Sequence, residues 1–181
     1  MGAKEDRFEL CLRLAIILTV FNLKQFHNPS KGNLNFEGVV DEIVGMMEKD
    51  QRSEYEVVVG TDSHAASGDH EIDFVSAIVI HRIGKGGRYF WKRETEKDIY
   101  TLRDKIYKEA FLSFDLAKDV MERLEEVTLL DYNLEIHVDV GQHGKTKEII
   151  DEVVGMIIGS GFEVRTKPDS YGASTVADKH A

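Results

Sequence analysis

The period of the apolar positions changes several times along the chain, and each change marks an element. An amphipathic helical pattern covers about Phe36 to Lys49, and "YEVVVGTD", Tyr55 to Asp62, reads as a mostly apolar strand. After the polar loop "SHAASGDHE", the β-branched run "IDFVSAIVIHRI" predicts a second strand, and "GKGG" at Gly84 to Gly87 turns it into a third, "RYFWKR". A long helix follows from Thr101 to about Val127, with Thr101 and Asp104 at capping-box spacing. "LEIHVDVG", Leu134 to Gly141, alternates as a strand, and a helix over 145–158 stops at Gly159-Ser160-Gly161. The strand "FEVRTK" and a short helix from about Ser170 complete the pattern. Asn28-Pro29 and Gly32 mark a loop ahead of the first amphipathic helix. The order predicts an α/β domain over residues 36–181, following an N-terminal helix and loop over 1–35. Its mixed sheet has five strands, an antiparallel meander and then two strands parallel to the first, flanked by helices.

Three acids stand out against these elements. At 100° per residue, Glu109 falls about 20° from Leu102, inside the apolar stripe of the long helix, while that helix's other acids lie opposite. Such a carboxylate either snorkels, pairs with a buried cation, or serves a site. Asp62 ends the first apolar strand and Asp139 ends "LEIHVDV", on the face shared with Glu135 and His137. Aspartate at a strand exit often only forms a turn, but the carboxyl ends of strands in α/β sheets are also where ligands bind. Carboxylates brought within about 4 Å repel by roughly 4 kcal/mol per pair at an effective dielectric near 20, so a cluster of them holds protons or recruits cations. Oxygen donors without cysteine select Mg²⁺ or Mn²⁺, and two such ions about 4 Å apart form the clamp used for in-line attack on phosphodiesters.

Bulk composition narrows the partners. The 181 residues are 42% hydrophobic and 31% charged, as in an ordinary soluble domain. With 33 acids against 23 bases the net charge is −10, which excludes a broad basic face, so a polyanion must be met by a local patch or by bound cations. Cys11 stands alone, and a reducing cytoplasm is the expected compartment. The apolar run Phe8 to Leu23 is broken by Arg13, so it reads as a docking helix and not as a membrane span.

The words "VVVGTDSH", "GKGGRYF", "LEIHVDVGQHGKTKEII" and "KPDSYGASTVADK", in this element order, resemble the YkuK-like family of bacterial ribonuclease H-like proteins. The resemblance runs from about Phe26 to the C-terminus. It implies a metal-dependent nuclease acting on RNA or DNA, with Asp62, Glu109 and Asp139 as metal ligands and catalytic residues. A fourth acid from a late helix is implied too: Asp178 in "STVADKHA", or else Asp169, which reads equally as a helix N-cap. His64 and His143 are possible additions to the metal shell, or ordinary hydrogen-bonded histidines. The cations near the proposed site are few: Lys85, Arg88, Lys92 and Arg93 around the hairpin, with Lys145, Lys147 and Lys167. Lys145 sits in "GQHGKTKE", a weak candidate for an anion site at a helix start. The alternative is a non-catalytic module of the same fold that binds nucleic acid or a protein.

Overall fold

The computed structural model describes residues 25–67, 70–138 and 147–180, without the side chains at 173, 174, 177 and 178. The predicted N-terminal helix over Phe8 to Leu23, with Cys11, lies outside the described residues. The chain forms β1 (Gln25–Asn28), β2 (Gly32–Asn35), α1 (Phe36–Lys49), β3 (Tyr55–Ala65), β4 (Ile72–Arg82) and β5 (Gly86–Glu96). It continues as α2 (Leu102–Val127), β6 (Asn133–Val138), α3 (Lys147–Gly159), β7 (Glu163–Thr166) and α4 (Gly172–His180). One mixed sheet runs β2-β1-β5-β4-β3-β6-β7. β4 is antiparallel to β3 and β5, while β6 runs parallel to both β3 and β7.

Among the described residues the sheet has seven strands, not the expected five, because the segment read as a loop is a β-hairpin. Its strands are four residues long and largely polar, so no alternation announces them. Pro29, which has no N–H to give a ladder, falls in the turn, where Asn28 Oδ1 accepts the N–H groups of Ser30 and Lys31 at 3.0 and 2.9 Å. Asn28 also donates through Nδ2 to the Tyr89 carbonyl at 2.9 Å, fastening the hairpin to β5. The first strand of the expected meander also continues past Asp62 to Ala65, because Ser63, His64 and Ala65 remain paired with β4.

The two faces of the sheet are covered unequally. Val57, Val59, Ile78, Ile80, Phe90 and Ile136 form a buried layer against the apolar stripes of α1, α2 and α3. The α2 N-terminus is held by the predicted capping box, Thr101 Oγ1 accepting from the Asp104 N–H and the Asp104 carboxylate from the Thr101 N–H. On the opposite face lie Val58, Gly60 and Asp62 of β3, crossed by the nine-residue α4. Close crossing requires glycine at 172: an added Cβ would stand 2.6 Å from Val58 Cγ1, a stiff β-branched side chain with no exposed surface. Gly172→Ala is therefore expected to lower stability by about 1–3 kcal/mol, read as a fall in the denaturation midpoint. An unchanged midpoint would show that α4 does not sit this close to β3.

Candidate active site

β3 supplies two consecutive residues that point to opposite faces of the sheet. Asp62 is on the α4 face, in cross-strand register with Val75, and its Oδ1 accepts the Ser63 N–H at 2.8 Å. Ser63 is on the α2 face, where its hydroxyl donates to Glu109 Oε1 at 2.6 Å. Glu109 is only 6% exposed, as its place in the apolar stripe requires. Lys105, one turn earlier on α2, lies 3.8 Å from the same oxygen and donates to the Ser63 carbonyl at 3.2 Å. The helix acid is thus anchored to the residue beside the strand acid. Ser63 and Lys105 were not singled out in the sequence, although serine next to aspartate and lysine four residues before glutamate were both visible there.

The remaining predicted residues divide into three groups. Asp139, His143 and Lys145 lie outside the described residues; the last described residue of β6, Val138, pairs with Thr61, one position before Asp62. Asp178 is on α4, with its side chain outside the description. Asp169 and Lys167 are exposed in the turn after β7, two strand spacings, about 10 Å, from β3. Asp169 is not the cap of the last helix: the N–H groups of Tyr171 and Gly172 are accepted by His137 Nδ1, at 3.1 and 3.3 Å. His64 shares the Asp62 face, and its buried Nε2 has no hydrogen-bond partner among the described residues. Among the described residues, no three His, Cys, Asp or Glu side chains gather as a complete metal shell.

Two of the hairpin cations are engaged elsewhere. Lys85 is paired with Asp50 at 2.8 Å, its hydrogen bond holding that carboxyl down at about 2, and Arg88 is paired with Glu42. Their turn joins the ends of β4 and β5 remote from Asp62, as expected of a soluble hairpin tip. A cleft of about 580 Å³, lined by Met47, Tyr55, Glu56, Leu130 and Tyr132, also lies at that remote end, away from the carboxylates.

The polar row that shares the face of Asp139 in the sequence pattern is buried where α4 begins. Glu135 and His137 are 0% and 1% exposed. Arg165 closes over Glu135 from the solvent side with a two-nitrogen grip, one bond measuring 2.6 Å, and this guanidinium is the main cause that lowers the Glu135 pKa. Burial lowers the His137 pKa, against the pull of Glu135 and Glu56, so the ring is neutral near pH 7. The network assigns the proton to Nε2, which donates to Glu135 at 3.3 Å and leaves the Nδ1 lone pair for the α4 amides.

The ribonuclease H-like family model matches residues 38–181. The chain belongs to the ribonuclease H-like family. It is 33% identical over 165 residues, 85% of this chain and 95% of the relative, to a protein of Bacillus subtilis (strain 168) described as "Uncharacterized protein YkuK". No solved structure gives a significant match. The mixed sheet with helices on both faces fits this ribonuclease H-like membership, and among the described residues no helix is long and apolar enough to cross a membrane.

Both Glu135 and His137 have pKa values lowered by folding, so the stability they confer is present above the unfolded values and is lost as pH falls. For His137 that loss begins below the ordinary histidine value of about 6.5. The melting temperature is therefore expected to drop between about pH 7 and 5, with a smaller slope in His137→Gln. Equal slopes in the two proteins would show that His137 is not held neutral by the fold.

Proposed function

We propose that this protein is a divalent-metal-dependent nuclease that hydrolyses phosphodiester bonds of RNA or DNA. The observation that carries the reading is Glu109, a buried carboxylate on the inner face of α2, tied through Ser63 to the position next to Asp62. Asp62 would hold Mg²⁺ or Mn²⁺ together with Asp139 and Asp178, with Asp169 a more distant fourth candidate; Glu109, expected from the sequence as a further ligand, lies on the α2 face opposite Asp62 and would support the site through Ser63. The donor chemistry fits: the carboxylates proposed to hold the ion are all hard oxygen ligands. Family membership supports the same reading.

When bound, such ions polarise the scissile phosphate, activate the attacking water and stabilise the departing oxygen. The chain's own contribution is placement. β3 fixes Asp62 between two paired neighbours, and Ser63 fixes the rotamer of Glu109 before substrate arrives. His64, on the Asp62 face with a buried Nε2 that has no hydrogen-bond partner among the described residues, would take a proton as water attacks phosphorus and give it to the departing oxygen as the P–O bond breaks.

A non-catalytic binding module is the second reading, and the engagement of Glu109 Oε1 by Ser63 and Lys105 favours it, because a carboxylate so satisfied serves structure as well. Cleavage separates the two. A panel of single- and double-stranded DNA, RNA and RNA–DNA hybrid with Mn²⁺ is expected to include a substrate that is cut. Asp62→Asn should abolish cutting without lowering the melting temperature, and Ser63→Ala should slow it by about 10–100-fold, as loss of a second-layer support does. No cutting across the panel, or full activity in Asp62→Asn, would remove the nuclease reading.

A further inference from the structure

An acidic chain that handles nucleic acid needs a local cationic surface, and the tip of the hairpin, with Lys85 and Arg88, does not provide it. The described basic side chains near Asp62 on its own face, the cations Arg93 and Lys179 and the rings of His180 and His27, come from three separate segments. Arg93 of β5 is in the same cross-strand row as Asp62, through Val75. Two strand spacings separate them, about 10 Å, or some three nucleotides of one duplex strand at a rise of 3.4 Å. Lys179 and His180 arrive at the end of α4, and His27 arrives on β1, paired with Trp91.

The arrangement is held by stacking and hydrogen bonds. The His180 ring lies on Trp91 at 4.5 Å between centroids and 17° between planes, and its Nε2 is 3.2 Å from the Tyr89 hydroxyl. Arg93 donates to the His180 carbonyl, Lys179 stands 5.6 Å over the Tyr89 ring, and His27 meets the Trp91 ring edge at 5.5 Å. Basic residues in the last turn complement the helix dipole, which accounts for Lys179 and His180 but not for their meeting Arg93 and His27. Among the described residues Arg93 is ion-paired with Asp73 at 3.7 Å, and the guanidinium is the more exposed partner, so it remains open to an anion from solvent. After burial, the neighbours that lower the His180 pKa are His27, Lys179 and Arg93, all of one sign.

We propose that this edge, formed by Arg93, Lys179, His180 and His27 around Trp91, receives the phosphate backbone of a nucleic-acid strand whose reacting phosphate lies at Asp62. The proposal rests on the nuclease reading for the strand's destination, and it supplies the contact surface that the acidic net charge otherwise withholds. These contacts carry no base specificity; they set position along the strand.

The test measures binding of a fluorescent oligonucleotide by anisotropy, in EDTA and again with Mn²⁺, against salt concentration, beside cleavage kinetics on the panel. Arg93→Gln with Lys179→Gln is expected to weaken binding, to flatten the log–log salt slope by about one unit per residue, and to raise KM with little change in kcat. Lys118→Gln, on α2 beside Glu122, should change none of these. Lys179→Gln alone, an exposed side chain, gives the same direction should Arg93→Gln fail to fold. Nucleic acid bound or cut with affinity, slope and KM unchanged in these variants would overturn the surface and leave the Asp62 reading standing. Binding lost in the variants with no cutting by any form would keep the surface and end the nuclease reading. A wild-type protein that neither binds nor cuts would overturn both.

Discussion

The register of β3 is the constraint on which the site depends. This strand is hydrogen-bonded to β4 along its whole length and to β6 over Glu56 to Thr61, so its alternation between faces is fixed from both sides. A slip of one residue would exchange Asp62 and Ser63 between the faces. Glu109 would then meet a second carboxylate in a nearly closed space instead of a hydroxyl, and the α4 face would lose its acid. The hydrogen bond from Ser63 to Glu109 therefore reports correct pairing and, in the same contact, orients the helix acid.

The α4 helix links this constraint to the rest of the molecule. Its start is fixed by the chain Arg165, Glu135, His137, in which each polar group sets the orientation of the next. Its end is fixed by the stack of His180 on Trp91. Between these anchors it packs on β3 and β4, with Gly172 against Val58. Asp178 is consequently carried on an element held at both ends, although the element has only nine residues. So short a helix is marginal by itself, and these tertiary contacts supply its stability.

Much of the fold was legible because its signals are local. The bounds expected for α1 match those observed, the capping box marks the start of α2, and the parallel placement of β6 and β7 follows from the helices between strands. The β1–β2 hairpin was not legible, because four-residue polar strands carry no periodicity and their partner β5 lies far along the chain. Burial of Glu109 could be read from one helical stripe. Burial of Glu135 and His137 could not, since it depends on α4, and alternation alone assigns them a face without saying what covers it. The cationic edge was equally hidden: His27, Arg93 and His180 are separated by most of the chain, and topology alone brings them together.

The most direct measurement of the central claim is a thermal shift with Mn²⁺ on the wild-type protein, Glu109→Gln and Asp62→Asn. Ion binding to the folded state raises stability by RT ln(1 + [L]/Kd), about 2.7 kcal/mol at a hundredfold excess over Kd. The account predicts a concentration-dependent rise in the wild-type melting temperature and little or none in either variant. A wild-type melting temperature indifferent to Mn²⁺, or an equal rise in all three proteins, would contradict an ion site at Asp62 supported by Glu109 through Ser63.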